Sequence, residues 1–320
     1  MYAFQYERPA NLADALKAVG SGGQALAGGQ TLIAALKQRL QQPEKLVDLG
    51  QIADLKGICM EGNQVVIGAM TRHQDVASNA DVLKHIPALA ALADGIGDRQ
   101  VRAMGTLGGS VANNDPAACY PSAVLALGAT IRTNRRKIAA DDFFQGLYAT
   151  ALEPGELIQS ISFPMPKRAA YAKFKQAASR FALVGVFVAD TGTGVRVAVT
   201  GAGNGVFRHA GLEAALSKNF SAQAVDAVTV DASNLNSDIH ADAAYRAHLI
   251  GVMARRATRT ASMIVASFTS AGISTGVPPG STAPVPSTGR IWIWHRFEIR
   301  SVATSKQIWR FSTLSRGVAP

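Results

Sequence analysis

A chain of 320 residues with 48% hydrophobic content is long enough for two or three domains around a substantial core. No uninterrupted apolar stretch reaches the roughly 18 residues of a membrane span, and the opening residues 1–9 have neither the basic nor the apolar region of a signal peptide. Cys59, Cys119 and six scattered histidines supply no C-x-x-C and no H-E-x-x-H, so iron–sulfur or zinc chemistry held by this chain alone is excluded. In chain order, residues 1–56 read as a small α/β unit. A helix with Asn11 as N-cap covers 12–19 and stops at Gly20–Gly23. A strand at 25–27, a helix at 31–39 and a strand at 45–49 follow. Residues 57–166 read as a larger unit, with strands at 64–68, 130–132 and 158–163 and helices at 75–85, 86–96 and 117–126. Asp115-Pro116 signals the start of the last helix, with Asp115 as its cap or as a ligand contact. Residues 167–257 hold strands near 181–189 and 194–201 and helices near 210–217 and 241–257, an α+β pattern.

The net charge of +10 suggests a nucleic-acid or membrane-surface partner, but its distribution argues otherwise. Seven of the 32 Lys/Arg and only one of the 22 Asp/Glu lie in 259–320, which leaves the remainder at +4 with no basic stripe. No nucleic acid is expected as a partner. From about residue 258 the texture changes to Ser, Thr, Gly and Pro, with all three tryptophans and no periodicity. Residues 258–320 therefore read as a disordered or out-of-frame tail.

Two glycine-rich segments carry the chemistry. Ala27-Gly28-Gly29-Gln30-Thr31 and Thr106-Leu107-Gly108-Gly109-Ser110 each pair glycines with a hydroxyl residue ahead of an apolar run. Without a Cβ, backbone N–H groups can approach an anion closely, and helix N-termini add positive potential. Two such sites suit a ligand with two phosphates, a dinucleotide; tight turns are the plainer reading of each alone. Neither segment fits the Rossmann or P-loop fingerprint. A third run, Gly201–Gly205, reads as a turn.

Ala27–Leu32 resembles the A-G-G-Q-[ST]-L loop of the FAD-binding (medium) subunits of molybdenum hydroxylases, in particular those of the aerobic carbon monoxide dehydrogenase group. Val101–Asn113 resembles their second loop, R-N-x-G-T-[IL]-G-G-[SN], and Gly155-Glu156-Leu157-Ile158 looks like the strand that follows. The resemblance continues in order to about residue 257. It implies a two-subdomain FAD-binding fold of the PCMH (vanillyl-alcohol-oxidase-like) type, residues 1–56 and 57–166, followed by a small α+β domain at 167–257. It also implies one non-covalent FAD, with its diphosphate held by the backbone of Ala27, Gly28, Gly29, Gln30 and Thr31 and of Thr106, Leu107, Gly108, Gly109 and Ser110. Leu107 and Ile158 would be apolar walls. Lys175, or Lys173, would lie near the flavin or serve as a solvated strand residue. Phe181 stands where the family often has Tyr, and Cys119 replaces the last Asp of D-P-x-x-D, which contacts FAD.

The resemblance further implies that no acid, base or nucleophile is needed here, because the flavin is the redox group. Electrons would come from a small iron–sulfur subunit, molybdenum chemistry would belong to a large molybdopterin subunit, and the assembly would be a dimer of heterotrimers. An external acceptor would receive the electrons. The cytoplasm is the expected location, with partners as the route to the inner face of the membrane. Two other readings stay open: a stand-alone flavin oxidoreductase, and a nucleic-acid or membrane-surface protein acting through the basic tail.

Overall fold

The computed structural model describes the backbone of residues 1–270 and the side chains of residues 1–263. Among the described residues three main sheets follow one another along the chain, with a two-stranded hairpin sheet in the second unit. The first holds β1 (Gln5–Glu7), β2 (Gln24–Leu26) and β3 (Lys45–Asp48) in the parallel order β1-β3-β2. Helix α1 (Leu12–Gly20) makes the first crossover; Asn11 caps it by accepting from Asp14 N at 2.9 Å. Ala15 and Ala18 of α1 pack on Val47, Leu49 and Ile52, and Met70 and Leu157 of the next unit close that core. Helix α2 (Leu32–Lys37) follows the first glycine segment.

The second unit contains β4 (Ile58–Glu61), β5 (Gln64–Gly68), β6 (Thr130–Thr133), β7 (Lys137–Ala139), the hairpin β8 (Phe144–Gly146) and β9 (Ala149–Thr150), and β10 (Ile158–Pro164). Its five-stranded antiparallel sheet has the order β4-β5-β10-β6-β7. Seven short helices run between and beside these strands: α3 (His73–Ser78), α4 (Ala80–His85), α5 (Pro87–Asp94), α6 (Arg99–Met104), α7 (Leu107–Asn113), α8 (Tyr120–Ala126) and α9 (Ala140–Phe143). The single helix expected over 75–85 is broken at Asn79, whose side chain accepts from Asp81 N and Val82 N and so starts α4 afresh. The helix expected from Ala117 begins instead at Tyr120. Asp115 Oδ1 accepts from Ala117 N at 2.8 Å in a tight turn, and Pro116 O is held by Gly201 N and Thr200 Oγ1, both at 2.7 Å.

The third sheet is the antiparallel meander β11 (Arg168–Lys175), β12 (Ala182–Asp190), β13 (Val195–Thr200) and β14 (Phe207–Arg208). Helices α10 (Ala210–Lys218), α11 (Ala222–Asp226) and α12 (Ala243–Ser270) join it. β12 is buried on both faces because its Val186 and Val188 meet α12 while Phe187 and Ala189 meet the core of the second unit. The class is α+β, as expected. The boundary at 258 falls differently. Helix α12 passes through it to Ser270, and Thr258 and Ala261 are fully buried, with Thr258 Oγ1 donating to Ala254 O at 2.8 Å. The rest of the segment read as a tail, 271–320, lies outside the described residues.

Candidate functional site

The first glycine segment is the link between β2 and α2. Gly29 has φ +70°, a conformation that strains any side chain, and a Cβ there would lie 2.6 Å from Ile33 Cδ1. Gln30 folds back and donates from Nε2 to Gly28 O at 3.0 Å, which braces the turn. Among the described residues, none of the backbone N–H groups of Gly28, Gly29, Gln30 or Thr31 donates to a protein acceptor. Thr31 stands at the N-cap of α2 without a capping bond, so its hydroxyl is uncommitted as well. Uncommitted backbone donors in a row are costly unless water or a ligand receives them.

The second glycine segment is not a loop but the first turns of α7. Thr106 caps this helix, with Oγ1 accepting from Gly109 N at 3.2 Å. The N–H groups expected to donate to a diphosphate are mostly spoken for: Leu107 N bonds to Thr71 O, Gly108 N to Ala69 O and Ser110 N to Thr106 O. Gly108 is a packing glycine, since a Cβ would lie 2.8 Å from the Ala69 carbonyl oxygen. What this segment offers is hydroxyls. Thr106 accepts one bond and keeps its own hydrogen, and Ser110 Oγ makes no bond among the described residues.

The two segments come from different units and meet face to face. A Cβ on Gly28 would overlap the Met104 carbonyl oxygen and lie 2.7 Å from Gly105 Cα. A Cβ on Gly109 would lie 3.2 Å from Ala27 Cβ. Glycine is thus what lets the free N–H groups of one segment and the hydroxyls of the other share a single cradle. Arg102, the basic residue of the second motif, does not serve it. Its guanidinium donates to Ile96 O at 3.0 Å and Gly97 O at 3.3 Å and pairs with Asp94. The polar groups this cradle presents are backbone dipoles and hydroxyls.

The residues expected beside a flavin ring are divided. Phe181 is 48% exposed at the start of β12, where Gln176 N donates to its carbonyl and closes the β11–β12 hairpin. Lys175 is exposed, whereas Lys173 is half-buried and turned inward: its Nζ donates to Cys119 Sγ at 3.2 Å and to Arg180 O at 3.0 Å. Cys119 is itself buried. Ile158 and Leu107 are not open walls. Both are sealed in the core of the second unit, because β10 is a central strand and α7 packs its apolar face on it.

Sequence reasoning missed three supports. His73 underlies the second segment: its N–H donates to Gly105 O at 2.9 Å, and a Cβ on Gly105 would lie 2.8 Å from its Cδ2. Burial, helped by the nearby Arg102 charge, pushes the His73 pKa down to about 4. Asn114 ends α7 in the left-handed region (φ 43°, ψ 47°) and donates from Nδ2 to Gly146 O and Ala149 O, both at 2.8 Å, locking the β8–β9 hairpin to the helix. Only its position after a helical run hinted at this. Glu156 proves structural. Its carboxylate accepts from Thr133 Oγ1, Arg136 and Glu153 N. Burial alone would raise its pKa, but these donors outweigh it and hold it at about 2.

Residues 2–166 match the family described as the FAD binding domain in molybdopterin dehydrogenase. The chain is 37% identical over 282 residues to the carbon monoxide dehydrogenase medium chain of Afipia carboxidovorans, covering 81% of this chain and 96% of that one. The chain belongs to the FAD-binding subunit family of the molybdenum hydroxylases. Another member, the nicotine 6-hydroxylase medium subunit of Paenarthrobacter nicotinovorans, is 34% identical over 270 residues, with 79% and 95% coverage. Among solved structures, reconstituted CO dehydrogenase from Oligotropha carboxidovorans superposes with a TM-score of 0.77 at 34% identity, covering 82% of this chain and 98% of that one. Quinoline 2-oxidoreductase from Pseudomonas putida 86 gives 0.75 at 27% identity, again with 82% and 98% coverage. The family's cofactor is FAD, and this subunit is the flavin-carrying, electron-transferring part of an oxidoreductase complex.

Proposed function

We propose that this chain holds FAD across the junction of its first two units and relays electrons between a small iron–sulfur subunit and an external acceptor. Molybdenum chemistry is assigned to a large subunit, within a dimer of heterotrimers. Bound FAD supplies a carrier that can exchange one or two electrons. The N–H groups of Gly28, Gly29, Gln30 and Thr31 orient its diphosphate, and the hydroxyls of Thr31, Thr106 and Ser110 add donors at the rim. Phe181 would offer an apolar surface to the ring, and Lys175 with Lys173 would supply positive charge near it. No side chain is asked to move a proton from an organic substrate.

The observation that carries this reading is the row of uncommitted N–H groups meeting a hydroxyl-bearing helix start over glycine surfaces. The relatives act on different compounds by name, among them carbon monoxide and nicotine, so substrate choice belongs to the molybdenum subunit rather than to this fold. Among the described residues no helix is long and apolar enough to cross a membrane, which suits a cytoplasmic subunit brought to a membrane only by partners. The test is reconstitution of the full chain with FAD. One flavin per chain should bind and be released into the supernatant by acid, and the flavoprotein should not turn over organic substrates until its partner subunits are added. Turnover by the isolated chain would support a stand-alone oxidoreductase instead.

A further inference from the structure

Cys119 and Lys173 are brought together by elements far apart in sequence, the start of α8 and the middle of β11. The Lys173 Nζ lies 3.2 Å from Cys119 Sγ and is pinned from the other side by Arg180 O at 3.0 Å. Among the described residues no carboxylate lies within ion-pair distance of Lys173. Its amine therefore has the sulfur as its side-chain partner, in a setting where neither group swings freely. The buried Tyr171 hydroxyl, two residues earlier on β11, makes no hydrogen bond among the described residues; burial and the neighbouring Cys119 push its pKa up, so it stays a neutral phenol beside the sulfur. The other cysteine, Cys59, is exposed on β4, an edge strand of the second sheet.

A sulfur and an amine held in contact are one condensation apart once the sulfur is oxidised. We propose that Cys119 and Lys173 form a reversible covalent cross-link under peroxide. In the first step hydrogen peroxide oxidises the sulfur by two electrons. Its O–O bond breaks, an S–O bond forms, and Cys–SH with H2O2 gives Cys–SOH and water. In the second step Lys173, having given its ammonium proton to solvent, attacks the sulfur with its lone pair. The S–O bond breaks, an S–N bond forms, and the oxygen leaves as water with one hydrogen from the amine. The product is a sulfenamide, the same linkage a sulfenic acid makes with a backbone nitrogen. One peroxide is consumed, two waters are released, and the pair loses two hydrogens in all. Two equivalents of a thiol reverse it, regenerating Cys–SH and the amine with one disulfide.

The contact is made within the chain itself, whether or not a cofactor is bound. Its consequence would be local: a bond from the start of α8 to β11 fixes the lysine that faces the β11–β12 hairpin.

The experiment treats the purified full chain with hydrogen peroxide, digests it without reductant and maps the peptides by mass spectrometry. The expected result is that the peptides carrying Cys119 and Lys173 appear joined, two hydrogens lighter than their sum, and separate again after dithiothreitol. In the same sample exposed Cys59 should climb to sulfinic and sulfonic acids without joining any lysine peptide. Lys173→Gln should abolish the joined species and leave Cys119 as sulfenic acid that a dimedone probe captures. The proposal is overturned if wild-type Cys119 is trapped by dimedone while Lys173 stays free. It is overturned equally if Cys119 resists oxidation after Cys59 is fully oxidised, or if Lys173 is found joined to Cys59. The decisive reading is made on the wild-type chain, so a variant that fails to fold does not blunt it.

Discussion

Gly28→Ala is the sharpest test of the cradle. The added Cβ would sit on the Met104 carbonyl oxygen and 2.7 Å from Gly105 Cα. Carbon atoms settle near 3.5 Å, so the two segments must part by roughly 0.8 Å. Overpacking of this kind costs about 1–3 kcal/mol of stability. The loss in FAD affinity should be separate and larger in effect. The N–H groups of residues 28–31 would be displaced from the hydroxyls of α7, and forfeiting even one charge-assisted hydrogen bond costs about 1.5–3 kcal/mol. That corresponds to roughly tenfold to hundredfold weaker binding. Quenching of flavin fluorescence on titration gives the affinity, and thermal unfolding without FAD gives the stability. Gly20→Ala is the control, since its Cβ would meet nothing within 4 Å. Wild-type affinity in Gly28→Ala, with or without a lower melting temperature, would refute the shared cradle.

Thr106→Val removes the cap of α7 and one rim hydroxyl. It should cost about 1 kcal/mol of stability and weaken FAD several-fold, and an affinity equal to wild type would take Thr106 out of the site. His73 has a folded pKa of about 4, below its ordinary 6.5, so between those values the unfolded chain binds more protons and stability falls as pH drops. The loss approaches about 3 kcal/mol by pH 4; His73→Gln should flatten the melting-temperature profile over that window, and an unchanged slope would sink the assignment. Cys119→Asp places a carboxylate beside the Lys173 ammonium and restores the family residue. FAD should bind several-fold more tightly, about 1 kcal/mol, and weaker binding by titration would mean the contacts have rearranged around the thiol.

Local signals in the sequence located much of this fold. Asn11 as a cap, the glycines that stop α1 and the Val-rich runs of β5 and β13 are short-range patterns, and each appears where its pattern puts it. The glycine pairs marked where two segments meet closely, because a glycine that lets two segments touch is written in the chain. Their mode of use was not. The second pair lies in a helix, which glycine's poor helix propensity disguises, and the N–H groups around it are taken by Thr71 and Ala69, residues just past the end of β5. Tertiary partners of that kind have no trace in a local window. The same holds for His73 beneath Gly105 and for Lys173 on Cys119. At the start of 258–320 composition was a poor guide: over that span the sequence reads polar and irregular, yet on α12 Thr258 is fully buried and Ala261 joins a core.

With FAD spanning the junction of the first two units as proposed, where glycine surfaces touch at the cradle, the cofactor would also be a fastener. A ligand that binds only the assembled junction adds about 2.7 kcal/mol to it at a free concentration one hundred times its dissociation constant. Without it, the joint rests on Met70 and Leu157 in the first core and on the touching glycines. Flavin supply then governs more than the fraction of subunits able to carry electrons. A chain lacking the ligand would open more often at this seam and be more open to proteases there, so flavin would set how much of the subunit survives as well as how much of it works.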